Sequence, residues 1–363
     1  MKKLFVTLLC FCFIVALVAC GSGKIDLSEE DEFAGTSDSY GIVEVTAERD
    51  ALNYLTGNMN LPRDMVGMRP YCVSVNNLSG SWPHYGISQA DIVLEIETEG
   101  GITRLMCLFA DTREVPLIGS VRSLRDQFIE VIYPLDPIIV HIGTSIYADR
   151  ALAENNLCTL DGNEMPSIIW IDRVRMQTYS SEHCKFTSGK LIDEGIKKAN
   201  FDTKSSSTIK TYFNFAQPGE KVVLTGGDAA AIKFEFGRDG KTIYDGDFRY
   251  DEASGTYLKF QRGQAQIDAG NNDKQLAFEN VLVMFANITV KNSSMTDVDY
   301  QQGGEGYYFS GGRYEKVTWS KGNYSSNFEF KKADGSDLVV NTGTTFFGFV
   351  KNENQKTLKI DEA

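Results

Sequence analysis

The residues best equipped for chemistry fall in one part of the chain. Glu95, Glu97 and Glu99 alternate along a strand-like run, Arg104 follows them, and Arg122, Arg125 and His141 come next. Two carboxylates about 5 to 9.5 Å apart across a cleft are what glycoside hydrolysis needs. Alternation puts these three glutamates on one face, so Glu95 and Glu99, with His141 as a base, are the alternative catalytic set. Arginines near them would keep both acids ionised and remove the proton donor. A different chemistry follows from Ser120 opening a helix with Arg122 and Arg125 in its first turns. Free backbone N–H groups and two guanidinium groups there would bind a carboxylate or a phosphate. Arg104, Ser120, Arg122, Arg125 and His141 are therefore the expected ligand-binding residues. Each has a plainer reading: the arginines pair with Glu95 or Glu99, Glu97 faces Arg104 as a cross-strand ion pair, and His141 is a satisfied core histidine.

No complete catalytic motif accompanies them. The chain lacks Gly-x-Ser-x-Gly, His-Glu-x-x-His, a phosphate-cradling loop and a dinucleotide fingerprint. With three histidines in all, no metal site or cofactor is expected.

The elements that must position these residues are legible in outline. Ile92–Glu97 and the run from Ile102 to Phe109 flank Gly100-Gly101, a hairpin signal that sets Glu99 opposite Ile102 and Glu97 opposite Arg104 if the glycines are the two loop residues. Apolar spacing predicts helices over Ser120–Tyr133, Ser145–Asn155 and Ser188–Lys198, and a strand over Ile138–Ile142. His141 thus precedes a glycine and a helix, where open α/β sheets place ligands. From about residue 209 the chain is strand-rich, with turns such as Arg238-Asp239-Gly240 and Ala333-Asp334-Gly335. Aromatic residues there, among them Tyr244, Tyr257, Tyr308 and Trp319, could stack on sugars or anchor a partner, or simply pack the sheets. The expected fold class is α+β: a mixed α/β N-terminal domain followed by a mainly antiparallel β C-terminal domain.

The N-terminus reads as an address. Lys2 and Lys3 precede an apolar run that is too short to span a bilayer and ends in Leu17-Val18-Ala19-Cys20. This resembles a bacterial lipoprotein signal over residues 1–19, with Cys20 lipidated and two acyl chains holding the protein on the outer face of the plasma membrane. The next segment is rich in Gly, Ser, Asp and Glu, so residues 20–58 read as an acidic flexible tether. The 363-residue chain carries a formal charge of -13. No basic surface is available for a phosphate backbone, which excludes nucleic acid as a partner. Of the remaining cysteines, Cys72 and Cys107 read as buried apolar residues, while Cys158 and Cys184 could form a disulfide.

Particular motifs point to a family. Arg69-Pro70, Val75-Asn76-Asn77, Ala90-Asp91-Ile92-Val93 with Glu95, Glu99-Gly100-Gly101-Ile102-Thr103-Arg104, Val121-Arg122-Ser123 with Arg125, and His141-Ile142-Gly143 together resemble the YerB-like family of bacterial lipoproteins, a domain of unknown function in N- and C-terminal parts. Tyr257, Gly263, Asn280-Val281, Tyr314, Val317 and Trp319 resemble its second part. The chain departs from the pattern at Trp82-Pro83-His84, where the family has Arg-Pro-Gln, at Cys184, where it has Asn after the histidine, and at Gln266, where it has His. The resemblance implies parts at 59–205 and 206–351, with a polar tail at 352–363. It brings no settled reaction. The expectation is a lipid-anchored protein that binds a wall glycan, peptide or anionic polymer, or an envelope protein. The alternative is a wall-acting hydrolase or lytic transglycosylase using Glu95 or Glu99.

Overall fold

The structure, a computed structural model, describes residues 41–292 and 294–361. The expected signal peptide, Cys20 and the tether up to residue 40 lie outside them. The longer strands of the first half are β1 (Tyr71–Asn76), β2 (Ile92–Glu97), β3 (Thr103–Phe109), β4 (Ile138–His141) and β5 (Cys158–Asp161). Those of the second half are β6 (Ala231–Asp239), β7 (Thr242–Asp251), β8 (Thr256–Gln261), β9 (Asn280–Lys291), β10 (Gly304–Ser310), β11 (Arg313–Lys321) and β12 (Thr345–Lys351). Three α-helices are present among the described residues: α1 (Asp126–Ile132), α2 (Ile146–Asn155) and α3 (Gly189–Ala199). The side chains of Ser145 and Ser188 accept from Ala148 N and Leu191 N, capping α2 and α3 where the sequence places their starts.

One large sheet unites the two halves. Its order is β11-β10-β9-β12-β2-β3-β1-β4-β5. The last long strand, β12, lies parallel to both β9 and β2, with Gly348 opposite Val283 on one side and Glu95 on the other. Its run Thr345–Val350 is buried on both faces, as a central strand between two covering layers must be. The division near residue 205 therefore separates two stretches of sequence but not two sheets, because the backbone ladder crosses it.

A second sheet, in which β8, β7, β6 and Lys359–Ile360 pair in order, lies over the middle of the first. Phe236, Phe248 and Phe278 all meet Phe346 of β12. Alternation along β8 turns Tyr257, Lys259 and Gln261 inward, and all three are fully buried.

Several expectations change. The tether does not extend to residue 58, because Arg49–Leu52 pairs with Met59–Pro62 and Leu55 is buried. Nor is the tail from 352 loose: Asn352–Thr357 forms a short helix and Lys359–Ile360 pairs with β6. Tyr244, Tyr257, Tyr308 and Trp319 are buried packing residues rather than exposed rings. Cys72 and Cys107 are buried in β1 and β3, while Cys158 and Cys184 are both free thiols, so the disulfide is not formed. The helix expected from Ser120 begins instead at Asp126. Residues 120–124 are extended because neighbouring strands supply their backbone partners: Asn76 N donates to Ser120 O, Arg122 N to Ser74 O and Leu124 N to Gly143 O. Gly119 enters this run at φ +147°, where a Cβ would lie 2.8 Å from Val121 N.

A sheet continuous across both halves should unfold as a unit. Calorimetry of the whole chain is expected to give one cooperative transition, and residues 59–205 expressed alone should lack it, since β2 loses its β12 ladder. Two separate transitions would contradict this.

Candidate functional site

The hairpin carrying the glutamates pairs one residue out of the expected register. Glu97 stands opposite Thr103 and Ile96 opposite Arg104. The loop has three residues, Glu99-Gly100-Gly101, closed by a bond from Thr98 N to Ile102 O. Gly101, at φ +84°, passes so close to β6 that a Cβ would lie 2.0 Å from Arg238 O. A one-residue slip moves side chains to the opposite face. Glu95 and Glu97 therefore point to the second sheet, while Arg104 points away from it.

Glu95 is fully buried and fully engaged. Its Oε1 accepts from Asn77 Nδ2 (3.0 Å), Thr103 Oγ1 (2.7 Å) and Gln261 Nε2 (3.1 Å). Its Oε2 faces Lys259 Nζ at 3.1 Å, an ion pair not aligned as a hydrogen bond, with both side chains sealed from solvent. Lys259 also lies over the rings of Phe248 and Phe346. Glu97 pairs with Lys351 Nζ at 2.7 Å, and burial pushes its carboxyl up. Neither acid opens onto a cleft.

Glu99 sits instead among the arginines. Arg125 donates Nε and Nη2 to its two oxygens at 2.9 and 2.7 Å, and Arg104 Nη2 reaches Oε1 at 3.3 Å. Burial alone would raise this carboxyl, but the Arg125 hydrogen bond and the charges of both arginines hold it at about 2. Burial and the neighbouring Arg125 lower Arg104 to about 9, which leaves it charged at neutral pH. Glu95 and Glu99 are thus each held by cationic partners, an arrangement that favours ionised carboxylates over the proton donor that the hydrolase alternative requires.

The arginines gather where Val121-Arg122-Ser123 crosses the carboxyl ends of parallel strands β1 and β4. Ile142 N donates to Arg122 O, and Ser123 O accepts from Arg104 Nη1 at 2.8 Å. Arg122, partly exposed, pairs with Glu182, and its buried Nε has no partner. His183 Nδ1 lies 3.0 Å from Asn76 Nδ2, and its Nε2 lies 3.6 Å from Glu182 Oε1.

Two expected ligand-binding residues stand apart from this cluster. Ser120 is buried without a partner for its Oγ, and its neighbours' N–H groups are used by strands rather than offered to an anion. His141 Nδ1 donates to Gly143 O at 2.9 Å, Thr159 Oγ1 bonds its Nε2, and burial lowers its pKa. This is the satisfied core histidine of the plainer reading.

Asn76, Glu182 and His183 join the site, and Lys259 the buried pair beneath it, without having been singled out for a role. A lysine in the inward register of an apolar strand was the one local signal for Lys259. The departures from the family pattern also meet here: His84 Nε2 bonds Asn76 O at 3.2 Å and Gln266 Nε2 donates to Asn77 Oδ1 at 3.2 Å. An apolar hollow of about 470 Å³ between Leu52, Leu61, Val66, Met68 and Ile209 lies elsewhere, with Lys210 in its lining.

These motif residues and their surroundings correspond to known sequences. The family described as "Protein of unknown function (DUF3048)" matches in both its parts, the N-terminal domain over residues 55–202 and the C-terminal domain over 232–347. The chain belongs to the DUF3048 family. A relative from Bacillus subtilis (strain 168), "Putative lipoprotein YerB", is 25% identical over 272 residues, covering 74% of this chain and 78% of its own. The crystal structure of the Bacillus subtilis YerB protein shares the fold, with a TM-score of 0.71 at 23% identity over 85% of this chain and 99% of that one. The DUF3048 halves named by the family are the two stretches that the central sheet joins.

Two outcomes follow from the ion pairs. Lys259→Met should leave Glu95 buried and unpaired and cost about 3–5 kcal/mol in chemical denaturation. The Glu99 carboxyl lies below its unfolded value, so its contribution is present above about pH 4.5 and is lost as pH falls toward about 2. Acid unfolding of Glu99→Gln should therefore be less steep than that of the parent in this window.

Proposed function

We propose that this protein is a lipid-anchored extracytoplasmic binding protein, held on the outer face of the plasma membrane by Cys20, that engages a wall component or an envelope protein through the surface around Arg122 and Arg125. The observation that carries this reading is the local charge balance. Arg104, Arg122 and Arg125 gather against two carboxylates, Glu99 and Glu182, in a chain whose net charge is -13. A partly exposed guanidinium beside a histidine, at the carboxyl ends of two parallel strands, suits an anionic group of a wall peptide, a wall polymer or a protein. The Leu-x-Ala-Cys box and the similarity to a relative named as a lipoprotein support the anchoring.

The test is retention of the full chain, solubilised in detergent, on purified cell wall, together with crosslinking in intact cells. Replacing Arg122 and Arg125 by alanine should reduce retention or crosslinking by at least about tenfold, the scale of one lost charge-assisted hydrogen bond. The melting temperature should fall by only a few degrees, because these ion pairs are partly solvated. Undiminished retention and crosslinking in the double variant would overturn the reading.

A further inference from the structure

Glu182 holds the position that an incoming anion would take. Its carboxylate bonds Arg122 Nη2 through one oxygen and lies 3.6 Å from His183 Nε2 through the other. It rides on the short turn Ser181–His183, at the end of a stretch that is exposed from Arg173 to Ser181 except at Arg175. Arg122, by contrast, is fixed by backbone bonds on both sides, from its N to Ser74 O and from Ile142 N to its O. One partner is anchored in the sheet and the other is on a solvent-exposed turn. The unpartnered, buried Nε of Arg122 adds a donor that Glu182 does not use.

The surroundings define what could replace it. Asn76 Nδ2 can only donate, so it bonds the Nδ1 lone pair of His183 and leaves Nε2–H facing Glu182. Arg122 and His183 thus present N–H groups from two sides to one planar group. Displaced Glu182 would remain nearby with Glu99, and Arg104, Arg122, Arg125 and Arg175 outnumber these two acids, so the cluster stays cationic. The two-sided approach of N–H donors to one plane suits a planar carboxylate better than a tetrahedral phosphate. Beside His183 lies a stretch that exposes apolar side chains among polar ones. Gly80 packs against the His183 ring, Arg175 donates to Gly80 O at 2.8 Å, and Tyr179 stacks on Arg175 at 4.8 Å. On the same stretch Val174, Met176 and Tyr179 are 76%, 44% and 39% exposed. Exposed apolar side chains next to a charged anchor, here interleaved with the exposed polar Arg173, Gln177 and Thr178, suit a partner that is itself part apolar and part charged.

We infer that Glu182 is a resident stand-in for the ligand's own carboxylate, and that the ligand is a peptide whose free carboxylate displaces Glu182 from Arg122 and His183 while an adjacent apolar side chain covers Val174, Met176 and Tyr179. This rests on the proposed binding role of Arg122 and specifies it: Glu182 competes with the ligand and sets its affinity.

Binding of muropeptides, released enzymatically from purified wall, to the full chain in detergent is the test. Glu182→Gln keeps the shape but removes the competing charge. It should bind about two- to fivefold more tightly, the fold-change equivalent to one partly exposed ion pair, and Glu182→Ala should do the same if glutamine perturbs the turn. Muropeptides whose carboxylates have been converted to amides should lose binding, and inorganic phosphate should compete no better than chloride. Weaker or unchanged binding by both Glu182 variants, equal binding of the amidated muropeptides, effective competition by phosphate, or no muropeptide binding by the parent would each overturn the inference. Loss of binding in Arg122→Ala alongside unchanged binding in both Glu182 variants would refute the stand-in role while leaving the proposed binding function in place. Parent-like binding by Arg122→Ala would instead refute the role of Arg122 on which both readings rest.

Discussion

The parallel ladder between Thr345–Lys351 and Ile92–Glu97 ties the last long strand among the described residues to one of the earliest. Each backbone group along Ile92–Glu97 then has a strand on either side, and its side chains can only alternate between the two layers that cover the sheet. Glu95 and Glu97 are thereby committed to the layer built by residues 231–265. In that layer an unpaired carboxylate would be costly, so Lys259 and Lys351, both from the second half, must be present. The two halves named by the family are therefore coupled through backbone bonds, buried charge and a shared aromatic core. Neither half contains all the partners of its own buried groups.

The same topology separates two kinds of charge. Glu95 and Lys259 are sealed in the interior, where they face each other as an ion pair away from solvent. Glu99, Arg104, Arg122, Arg125 and Glu182 gather at the carboxyl ends of Tyr71–Asn76 and Ile138–His141, at the edge of solvent. There the backbone of Val121-Arg122-Ser123 is pinned while the side chains of Arg122 and Glu182 remain partly accessible. A fixed cation facing a carboxylate on an exposed turn is an arrangement that can exchange one anion for another. The buried pair has no such freedom.

Much of the architecture was legible in local pattern. The alternating runs became strands, the serine-capped runs at Ser145 and Ser188 became helices, and Cys72 and Cys107 proved to be core residues. Errors arose where a local signal competed with a distant partner. Ser120 followed by apolar spacing reads as a helix start, but Ser74, Asn76 and Gly143 claim the backbone of 120–124. Gly100-Gly101 reads as a two-residue turn, but the close approach of Arg238 accompanies a three-residue loop and a different face for Arg104. The acidic stretch before residue 59 and the polar tail after 351 look unstructured by composition, yet both contribute short strands to the fold.

By itself the sequence determined the family, the expected address and the arginines that stand as candidates, because motifs and signal boxes are properties of neighbouring residues. It also determined the overall acidity against which a local excess of guanidinium groups stands out. Only the tertiary structure decided which acid each cation meets. Lys259 finds Glu95, Lys351 finds Glu97 and Arg122 finds Glu182 across long separations in the chain. Pairing of that kind depends on strand register and sheet order, and a one-residue change in register redirects a side chain to the opposite face.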